Sequence, residues 1–426
     1  MKKIFILILI AASYQTYAQV NAELNKFILQ SFSYYPKIQE LNKTTEIAEL
    51  KVDIARSNYL PNLNGTGTYS YINPVSQTVI PISATETKKL QFQPNNNYNA
   101  NAGLNQLIWD FGKTKAQVEK AKADLLTTKQ TADAAKLQLA SQVTGIYYSM
   151  IYLKKVIQLQ DTIIAFYETN QKIVEGKIKQ GDALQIDLIN IQNTIDQEKN
   201  RKIDFERQFE RQVALMTFTT GQANLPAVTE FDFTGLTSRE LNIDNNPDLL
   251  AANQRLYGAQ ADSRLAQSNK LPSLTFQASA GMKNGYQPDL NEMRFNYLAG
   301  ATLTVPIFQG HRLYKSAVVA NKSIELSEIA KVNTINTLQK DWQSAMADLK
   351  ASEEQVKNTE TQINASNEAL RLTQVRFNRG VVTYLDLVFA STNVQRAYMT
   401  QLQYKYQATL AMAELARVQG VKFWQE

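Results

Sequence analysis

Residues 55–63 read ARSNYLPNL, and residues 266–274 read AQSNKLPSL, so that six of the nine positions are identical. The prolines of the two stretches, Pro61 and Pro272, lie 211 positions apart. Proline has no backbone N–H and clashes with the preceding helical turn, so it commonly ends a helix. The chain therefore marks the same helix end twice, which indicates that a larger unit is repeated.

The likeness continues along the chain at a constant spacing. LIWDFGK at residues 107–113 resembles PIFQGHR at 306–312, and KIKQGDALQIDL at 177–188 resembles RFNRGVVTYLDL at 376–387. Both pairs are offset by 199 positions. A spacing kept through several motifs indicates one duplicated structural module rather than a solenoid of short repeats.

The two offsets differ by 211 − 199 = 12, so the first copy carries 12 additional residues between Pro61 and Ile108. The connecting segment between the copies has a changed composition and is expected to form a small belt around the middle of the helices. We predict a signal peptide at residues 1–18, repeat 1 at 19–221, the connecting segment at 222–245, repeat 2 at 246–420 and a C-terminal tail at 421–426.

Each repeat is predicted to contain a helix, a β-hairpin and two long helices. The first helix has apolar residues at three-to-four spacing, the period of one helix face: Ile38, Leu41, Ile47, Leu50 and Ile54. The hairpins are expected at about 62–109 and 273–308, and the long helices at about 112–179, 183–219, 311–379 and 384–418.

The first long helix of each repeat contains no proline. At 1.5 Å per residue, each of these helices is a rod of about 100 Å. The rod of the second repeat has a narrow apolar stripe, which suits a helix that packs against its neighbours on limited faces: Ile324, Leu326, Ile329, Val332, Ile335 and Leu338.

The hairpin segments alternate between apolar and polar residues. YNANAGLN at residues 98–105 and LTFQASAGM at 274–282 both have an apolar face and a small, polar face. A soluble sandwich and an outer-membrane barrel both produce this pattern. Strand lengths of about 9–11 residues favour the barrel. Eight aromatic residues near strand ends suit a membrane interface: Tyr69, Tyr71, Tyr98, Trp109, Phe276, Phe295, Tyr297 and Phe308.

The N-terminus has the composition of an export signal. Lys2 and Lys3 precede the apolar run IFILILIAA, and the small residues Thr16 and Ala18 place the cleavage site after Ala18. We find no later apolar run of about 18 residues, so no transmembrane helix is expected. The chain contains no cysteine, which excludes disulfides, thiolate chemistry and a cysteine-linked lipid.

Composition also excludes several functions. The net charge is +6 with basic residues scattered among acids, so no nucleic acid is expected as a partner. The chain has one histidine and no motif of a nucleophile or metal site. We therefore expect no catalytic residue, no metal and no cofactor, and predict that the protein is not an enzyme. The single histidine, His311, begins a long helix and is interpreted as an interfacial or capping residue.

Four strands cannot close a barrel around a water-filled lumen. In lipid, each unpaired N–H or C=O group at an open sheet edge costs several kcal/mol. Two chains would give 8 strands, whose interior is usually filled by side chains, whereas three chains give 12, enough for a pore. The pattern thus favours a homotrimer with a shared barrel.

Together, the duplicated plan and the paired motifs resemble the TolC-like outer-membrane efflux protein family over essentially the whole mature chain. The motif pairs are SNYLP and SNKLP, IWDFGK and IFQGHR, and QGDALQIDL and RGVVTYLDL. The resemblance implies a mainly α-helical protein with a small membrane β part. Its homotrimer would form a 12-strand β-barrel in outer-membrane lipid, continued by a periplasmic α-helical tunnel.

The resemblance also implies a function. Family members are the exit duct of a tripartite efflux pump or of a type I secretion system, with an inner-membrane transporter and a periplasmic adaptor as partners. The alternative is a periplasmic coiled-coil adaptor or tether without a pore. The two alternating strand pairs with aromatic ends argue against that alternative.

In the family, the turns between long helices form the periplasmic tip. The resemblance therefore predicts a constriction formed by Asp386, Phe389, Asp187 and Asn190, and an adaptor contact at Gly181, Gly380, Val382 and Thr383. Some members have a basic residue at the position of Val382 and an acid at that of Phe389, so a gate locked by those charges is not expected here.

Two of these residues have a second interpretation. Asp386 and Thr383 also fit a capping box at the start of the last long helix, and a carboxylate there is favoured by the helix dipole. Phe389 fits either an apolar constriction or a ring packed between helices. Both interpretations of each residue stay open from the sequence.

Overall fold

The computed structural model describes residues 22–83, 85–223, 225–227, 230–235 and 238–425. The predicted signal peptide lies outside the described residues. The chain divides into two compact units. One, here called the helical unit, comprises the chain up to Thr44, Thr128–Ala251 and the chain from Lys331. The other, the strand unit, comprises Thr45–Thr127 and Ala252–Ala330. Both units take segments from both sequence repeats.

Helices make up most of the described chain. The four long helices α3, α4, α6 and α7 begin and end within two residues of the bounds predicted from the sequence. A short helix, α1, precedes them and was not predicted as a separate element. No helix in the described ranges is both long and apolar enough to cross a membrane. The helices are α1 (22–34), α2 (Pro36–Ser57), α3 (Lys113–Gln180), α4 (Gln185–Thr220), α5 (Pro247–Ser268), α6 (Arg312–Asn378) and α7 (Tyr384–Val418).

The strand unit contains two sheets. Four antiparallel strands form one sheet in the order β1-β4-β5-β6, and β2 pairs with β3 in a separate hairpin. The order places β1 and β6 at the two edges of the larger sheet. The strands are β1 (Asn62–Tyr71), β2 (Gln77–Pro81), β3 (Thr87–Gln91), β4 (Asn96–Trp109), β5 (Ser273–Lys283) and β6 (Arg294–Thr304).

The expectation of one strand pair in each repeat is wrong for the first repeat. There, β2 and β3 form a further hairpin within the region that carries the 12 additional residues. Each of these strands has only five residues. Their sequences, QTVIP and TKKLQ, are too short and too irregular to show a period of two. The extra residues thus build a projection from one repeat only.

The core of the helical unit lies between α1, α3 and the chain's C-terminal end. Tyr147 and Tyr148 of α3 are fully buried there, and their rings pack edge to face at 5.2 Å between centroids. The Tyr148 hydroxyl donates a hydrogen bond to the Asp232 carbonyl, and its ring contacts Phe233. Phe233 in turn packs against Phe423. The described residues of the connecting segment are therefore held to α3 and the C-terminal tail by aromatic contacts.

The apolar stripes predicted on two helices do not pack fully within the chain. On α2, Ile38 is buried, but Leu50 and Ile54 are more than 60% exposed. On α6, Leu326 and Ile329 are also more than 60% exposed. Each helix thus exposes a short apolar row at helical spacing in the single chain. Both helices flank the strands at the edges of the larger sheet in sequence, α2 before β1 and α6 after β6.

One glycine of the larger sheet allows two strands to approach closely. A Cβ on Gly281 of β5 would meet the carbonyl oxygen of Ala100 and, at 2.5 Å, the Cα of Asn101 in β4. Gly300 of β6, on the same face of the sheet, has no atom within 4 Å of the corresponding position.

Gly281→Ala is therefore expected to lower the free energy of unfolding by about 1–3 kcal/mol, the range for overpacking. Gly300→Ala serves as the matched control and should change it little. The midpoint of thermal unfolding in detergent, followed by intrinsic fluorescence, compares the two variants. Equal midpoints would show that β4 and β5 do not depend on this close approach.

Candidate functional site

The two turns between long helices share one backbone design. Gly181 and Gly380 follow α3 and α6 with φ of 80° and 72°. The Asp182 N–H donates to the Lys177 carbonyl at 2.8 Å, and the Val381 N–H donates to the Arg376 carbonyl at 2.9 Å. This six-to-one hydrogen bond is typical of the Schellman motif, in which one residue adopts the left-handed backbone conformation that glycine accepts most easily. The glycines that the repeat preserves are thus required by the way the helices end.

The helices that follow these turns begin differently. In the second repeat, the backbone N–H and the hydroxyl of Thr383 both donate to the Asp386 carboxylate, at 2.8 and 2.7 Å. The Asp386 N–H donates back to the Thr383 hydroxyl at 3.3 Å, which completes a capping box. In the first repeat, the Leu184 N–H donates to Asp187 at 3.1 Å, but leucine has no side-chain acceptor to complete the box.

The capping interpretation of Asp386 is therefore seen in the structure. Hydrogen bonds from the Thr383 side chain and backbone lower the pKa of the Asp386 carboxyl below its ordinary value. A lowered carboxyl pKa means that the ionised form, which makes the cap, persists to lower pH. The carboxylate is also exposed in the single chain. Capping a helix and lining a lumen both use the same exposed, ionised side chain, so the capping contacts do not test the second role. That Asp386 lines a lumen stays a prediction.

The other predicted constriction residues occupy different environments. Phe389 is 62% exposed, so its ring does not pack between helices of its own chain. Asn190 is exposed, whereas Asp187 and Val382 are half-buried. These residues lie on α4, on α7 and in the turn before α7. Their roles in a constriction or an adaptor contact stay predictions.

Sequence reasoning missed a lysine that links the two turns. The Lys177 ammonium, near the end of α3, donates to the carbonyl of Phe377 in the last turn of α6. The same nitrogen lies 4.4 Å from the centroid of the Phe377 ring. A cation beside the last carbonyls of a helix is favoured by the dipole, and an aromatic face adds a cation–π attraction. Lys177 therefore joins the ends of α3 and α6.

No sequence signal identified this contact, because the repeat partner of Lys177 is Arg376 and not Phe377. The Phe377 ring is buried and packs edge to face with Tyr384, the first residue of α7. Buried aliphatic residues of α3 and α4 complete the same cluster. Lys177 thus contacts the edge of this apolar cluster, which packs the two turns against each other.

Farther along the helical unit, a buried carboxylate connects three helices. Glu198 of α4 is 4% exposed. It accepts hydrogen bonds from the side-chain amides of Gln160 in α3 and Gln395 in α7, and from the Arg201 guanidinium at 2.7 Å. A buried charge is costly unless it is paired and hydrogen-bonded, so these partners fix the relative positions of α3, α4 and α7. Glu198 lies in a polar run, DQEKNRK, that gave no hint of its burial.

The larger sheet of the strand unit carries the predicted interfacial aromatics. Directly paired residues of neighbouring strands lie on the same face of a sheet. By this rule, the register places seven of the eight aromatics on one face with the small apolar residues. They are Tyr69, Tyr71, Tyr98, Trp109, Phe276, Phe295 and Tyr297. Phe308 follows β6 and has no partner in the sheet.

The opposite face of this sheet is polar and almost uncharged. It is rich in asparagine, threonine and serine, with Leu107 and Leu298 as its large apolar residues, and none of the four strands contains an acidic residue. Its two charged residues, Lys283 and Arg294, are direct partners at one end of β5 and β6. Arg294 is paired with Glu292 of the β5–β6 loop at 2.8 Å. The sheet thus separates an aromatic, apolar face from a face of amides and hydroxyls.

No group of three or more histidine, aspartate or glutamate side chains within the described ranges is placed to hold a metal ion. His311 has a φ of 60°, and its ring packs edge to face against Phe308 at 5.8 Å. Its carbonyl accepts the Lys315 N–H at 3.0 Å, in the first turn of α6. The histidine therefore stands at the start of α6.

The comparisons with known proteins agree on one family. The family described as outer membrane efflux protein matches residues 33–222 and 239–421, which include most of both repeats. Outer membrane protein OprJ of Pseudomonas aeruginosa is 23% identical, and the match covers 94% of this chain and 84% of OprJ. The probable efflux pump outer membrane protein TtgC of Pseudomonas putida is 21% identical, with 86% and 79% covered.

Solved structures give the same result for the fold. The CmeC outer membrane channel of Campylobacter jejuni aligns with a TM-score of 0.78 at 16% identity, covering 95% of this chain and 87% of CmeC. The fold is thus that of outer-membrane channels. The alternative of a periplasmic coiled-coil adaptor or tether without a pore is wrong, because the matching family and structures are those of outer-membrane proteins.

Lys177→Met should loosen the junction of α3 and α6, because it keeps the aliphatic stem and removes the charged donor. A hydrogen bond from a charged group to a half-exposed site contributes about 1 kcal/mol after solvent screening. Amide hydrogen exchange of residues 374–384 should therefore be roughly fivefold faster. Lys179→Met is the matched control, since Lys179 is exposed one half-turn away. Equal exchange in both variants would show that the lysine contact does not hold the turns.

Proposed function

The chain belongs to the outer membrane efflux protein family, and from this we propose that it is the outer-membrane exit duct of a tripartite efflux pump. Small molecules or polypeptides from an inner-membrane transporter would leave the cell through it. The observation that carries the proposal is the larger sheet, with aromatic and small apolar residues on one face and amides and hydroxyls on the other. In a membrane barrel, the apolar face meets lipid and the polar face lines water.

A homotrimer is the assembly that this sheet favours. Among the described residues, strands β1 and β6 each pair with a neighbouring strand on one side only, which leaves one row of backbone groups on each without a strand partner. Pairing β1 of one copy with β6 of the next satisfies these groups, and three copies give a ring of 12 strands. The exposed apolar residues Leu50 and Ile54 of α2 and Leu326 and Ile329 of α6 support the same contact. They lie on the helices that precede β1 and follow β6, so adjacent copies would cover both stripes.

The expected partners are the other two components of a tripartite efflux pump, the periplasmic adaptor and the inner-membrane transporter. TtgC is described as part of an efflux pump, and this favours efflux over type I secretion for the present chain. We assign the contact with the periplasmic adaptor to the helix turns at Gly181, Gly380, Val382 and Thr383. The two turns present the same backbone design, so a repeated helical partner can meet them in equivalent ways. Asp386, Phe389, Asp187 and Asn190 are assigned to the narrow end of the duct.

Single-channel conductance in a planar bilayer tests the duct and its narrow end. The purified mature protein should give discrete steps. Phe389→Ala should raise the step size, because it removes an apolar ring that resists wetting. Asp386→Ala should weaken the preference for cations. Ile189→Ala, which shortens an exposed side chain of α4, is the control and should change neither property.

The pH dependence has a defined sign. The Asp386 carboxyl is charged above its pKa, and hydrogen bonds from Thr383 lower this pKa, so the cation preference should persist to a lower pH than that at which an ordinary aspartate is protonated. If neither substitution alters the conductance steps, the protein forms a pore but Phe389 and Asp386 do not form its narrow end. An inserted trimer without any steps would contradict the duct.

Ile329→Asp should weaken the trimer, because a carboxylate buried between copies without a partner is costly. Light scattering coupled to chromatography should show a lower mass than three chains. Glu328→Gln, at a neighbouring exposed position of α6, should leave the mass unchanged. If Ile329→Asp and Leu50→Asp both remain fully trimeric, the two stripes are not the contact between copies.

A further inference from the structure

The β2–β3 hairpin has no counterpart in the second repeat and packs little within its own chain. Val79 and Ile80 of β2 are 55% and 46% exposed, and Ile82 just beyond the strand is 63% exposed. Val79 and Ile80 point to opposite faces of the hairpin, because they are successive residues of one strand. A two-stranded hairpin alone is marginally stable in water. Such a hairpin needs a packing partner, and its exposed apolar side chains show where one fits.

Among the described residues, the rest of the chain holds the hairpin on its β3 side. The Gln287 side chain, in the β5–β6 loop, donates to the carbonyl of Gln91 in β3 at 3.0 Å. Strand β2, on the other side, pairs with β3 alone in the described part of the chain. The chain thus supports the hairpin through β3 and leaves β2 open.

The hairpin and the β5–β6 loop project from the same end of the larger sheet. Tyr71, which ends β1, pairs with Asn96, which begins β4, and Lys283 pairs with Arg294 where β5 and β6 meet the loop. The hairpin joins β1 to β4 on one side of this end, and the loop joins β5 to β6 on the other. Strand β2 follows β1, so it leaves the sheet at the β1 edge. The loop runs into β6, so it returns at the opposite edge.

The two projections have complementary chemistry. The hairpin adds Lys88 and Lys89 to its apolar residues. The β5–β6 loop, residues 284–293, contains Asp289 and Glu292 and no basic residue. It also exposes Met293, 37% accessible, immediately before β6. With Glu86 in its turn, the hairpin has a net charge of +1, and the loop has one of −2, of which Glu292 is paired with Arg294. An apolar, weakly basic surface at one edge of the protomer therefore corresponds to an apolar surface at the other edge, where Asp289 supplies a negative charge without an ion-pair partner among the described residues.

We propose that the β2–β3 hairpin of each protomer docks on the β5–β6 loop of the next protomer. This inference rests on the homotrimer proposed above, in which β1 of one copy lies beside β6 of the next. The β1 edge then brings β2 beside the loop of the neighbouring copy, while β3 stays bonded to the loop of its own chain. Three hairpins and three loops alternate around the mouth of the duct, and each hairpin bridges two copies.

Engineered cysteines test this contact cleanly, because the chain has no cysteine of its own. In the full-length trimer, Val79→Cys combined with Met293→Cys should give covalent dimers and trimers after mild oxidation or treatment with a short bismaleimide. These bands should exceed those of either single variant at least about tenfold, since thiols held together in an assembly meet at a high effective concentration. Reduction should remove the bands formed by oxidation.

Two controls make each outcome decisive. Val79→Cys with Lys89→Cys joins direct partners of one hairpin, so it should close within a single chain and show that the thiol at position 79 reacts. Cross-linking by Val79→Cys alone would mean that hairpins meet one another, and it would overturn the docking on the loop. Docking on the loop would also be overturned if Val79→Cys with Met293→Cys gave only monomers while light scattering showed an intact trimer. A wild-type protein that is not a trimer would instead refute the assembly proposed above.

Discussion

The edges of the four-stranded sheet impose the constraint on which the proposed architecture depends. In the part of the chain that the structure describes, β1 and β6 each have one side without a strand partner. In hydrocarbon, no water satisfies the N–H and C=O groups left there. The sheet can therefore serve in a membrane only if other copies complete it. The exposed apolar stripes of α2 and α6 lie on the helices that adjoin these edge strands in sequence. In the proposed trimer, the copies that pair with the edge strands would also cover these stripes.

Duplication of the sequence explains why the two halves of the protomer look alike, but the compact units do not follow it. Each unit takes helices or strands from both repeats. In the helical unit, Lys177 of the first repeat bonds to Phe377 of the second, and Glu198 of the first accepts from Gln395 of the second. These contacts pair positions that are not equivalent in the two copies. The two repeats are thus joined to each other through side chains at non-equivalent positions.

Much of the fold could be predicted from the sequence. The long helices were located because they run without proline, because Gly181 and Gly380 interrupt them, and because the repeat shows each boundary twice. The alternation of apolar and polar residues likewise identified β4 and β5. The β2–β3 hairpin was missed because five-residue strands carry too little periodicity. Lys177 and Glu198 were missed for another reason: their partners are distant in sequence, and a lysine or glutamate in a polar run gives no sign of burial or pairing.

The polar face of the larger sheet has a consequence for transport. Its side chains are mostly amides and hydroxyls, with no carboxylate, and its two charges, Lys283 and Arg294, lie at one end, where Arg294 is paired to Glu292. Amides both donate and accept hydrogen bonds, so a passing solute of either charge exchanges one weak contact for another, as it does in water. Such a wall has no deep energy minimum in which cargo is trapped. In the proposed duct, the final part of the path resembles bulk solvent for the cargo, and discrimination between solutes belongs to the steps before it.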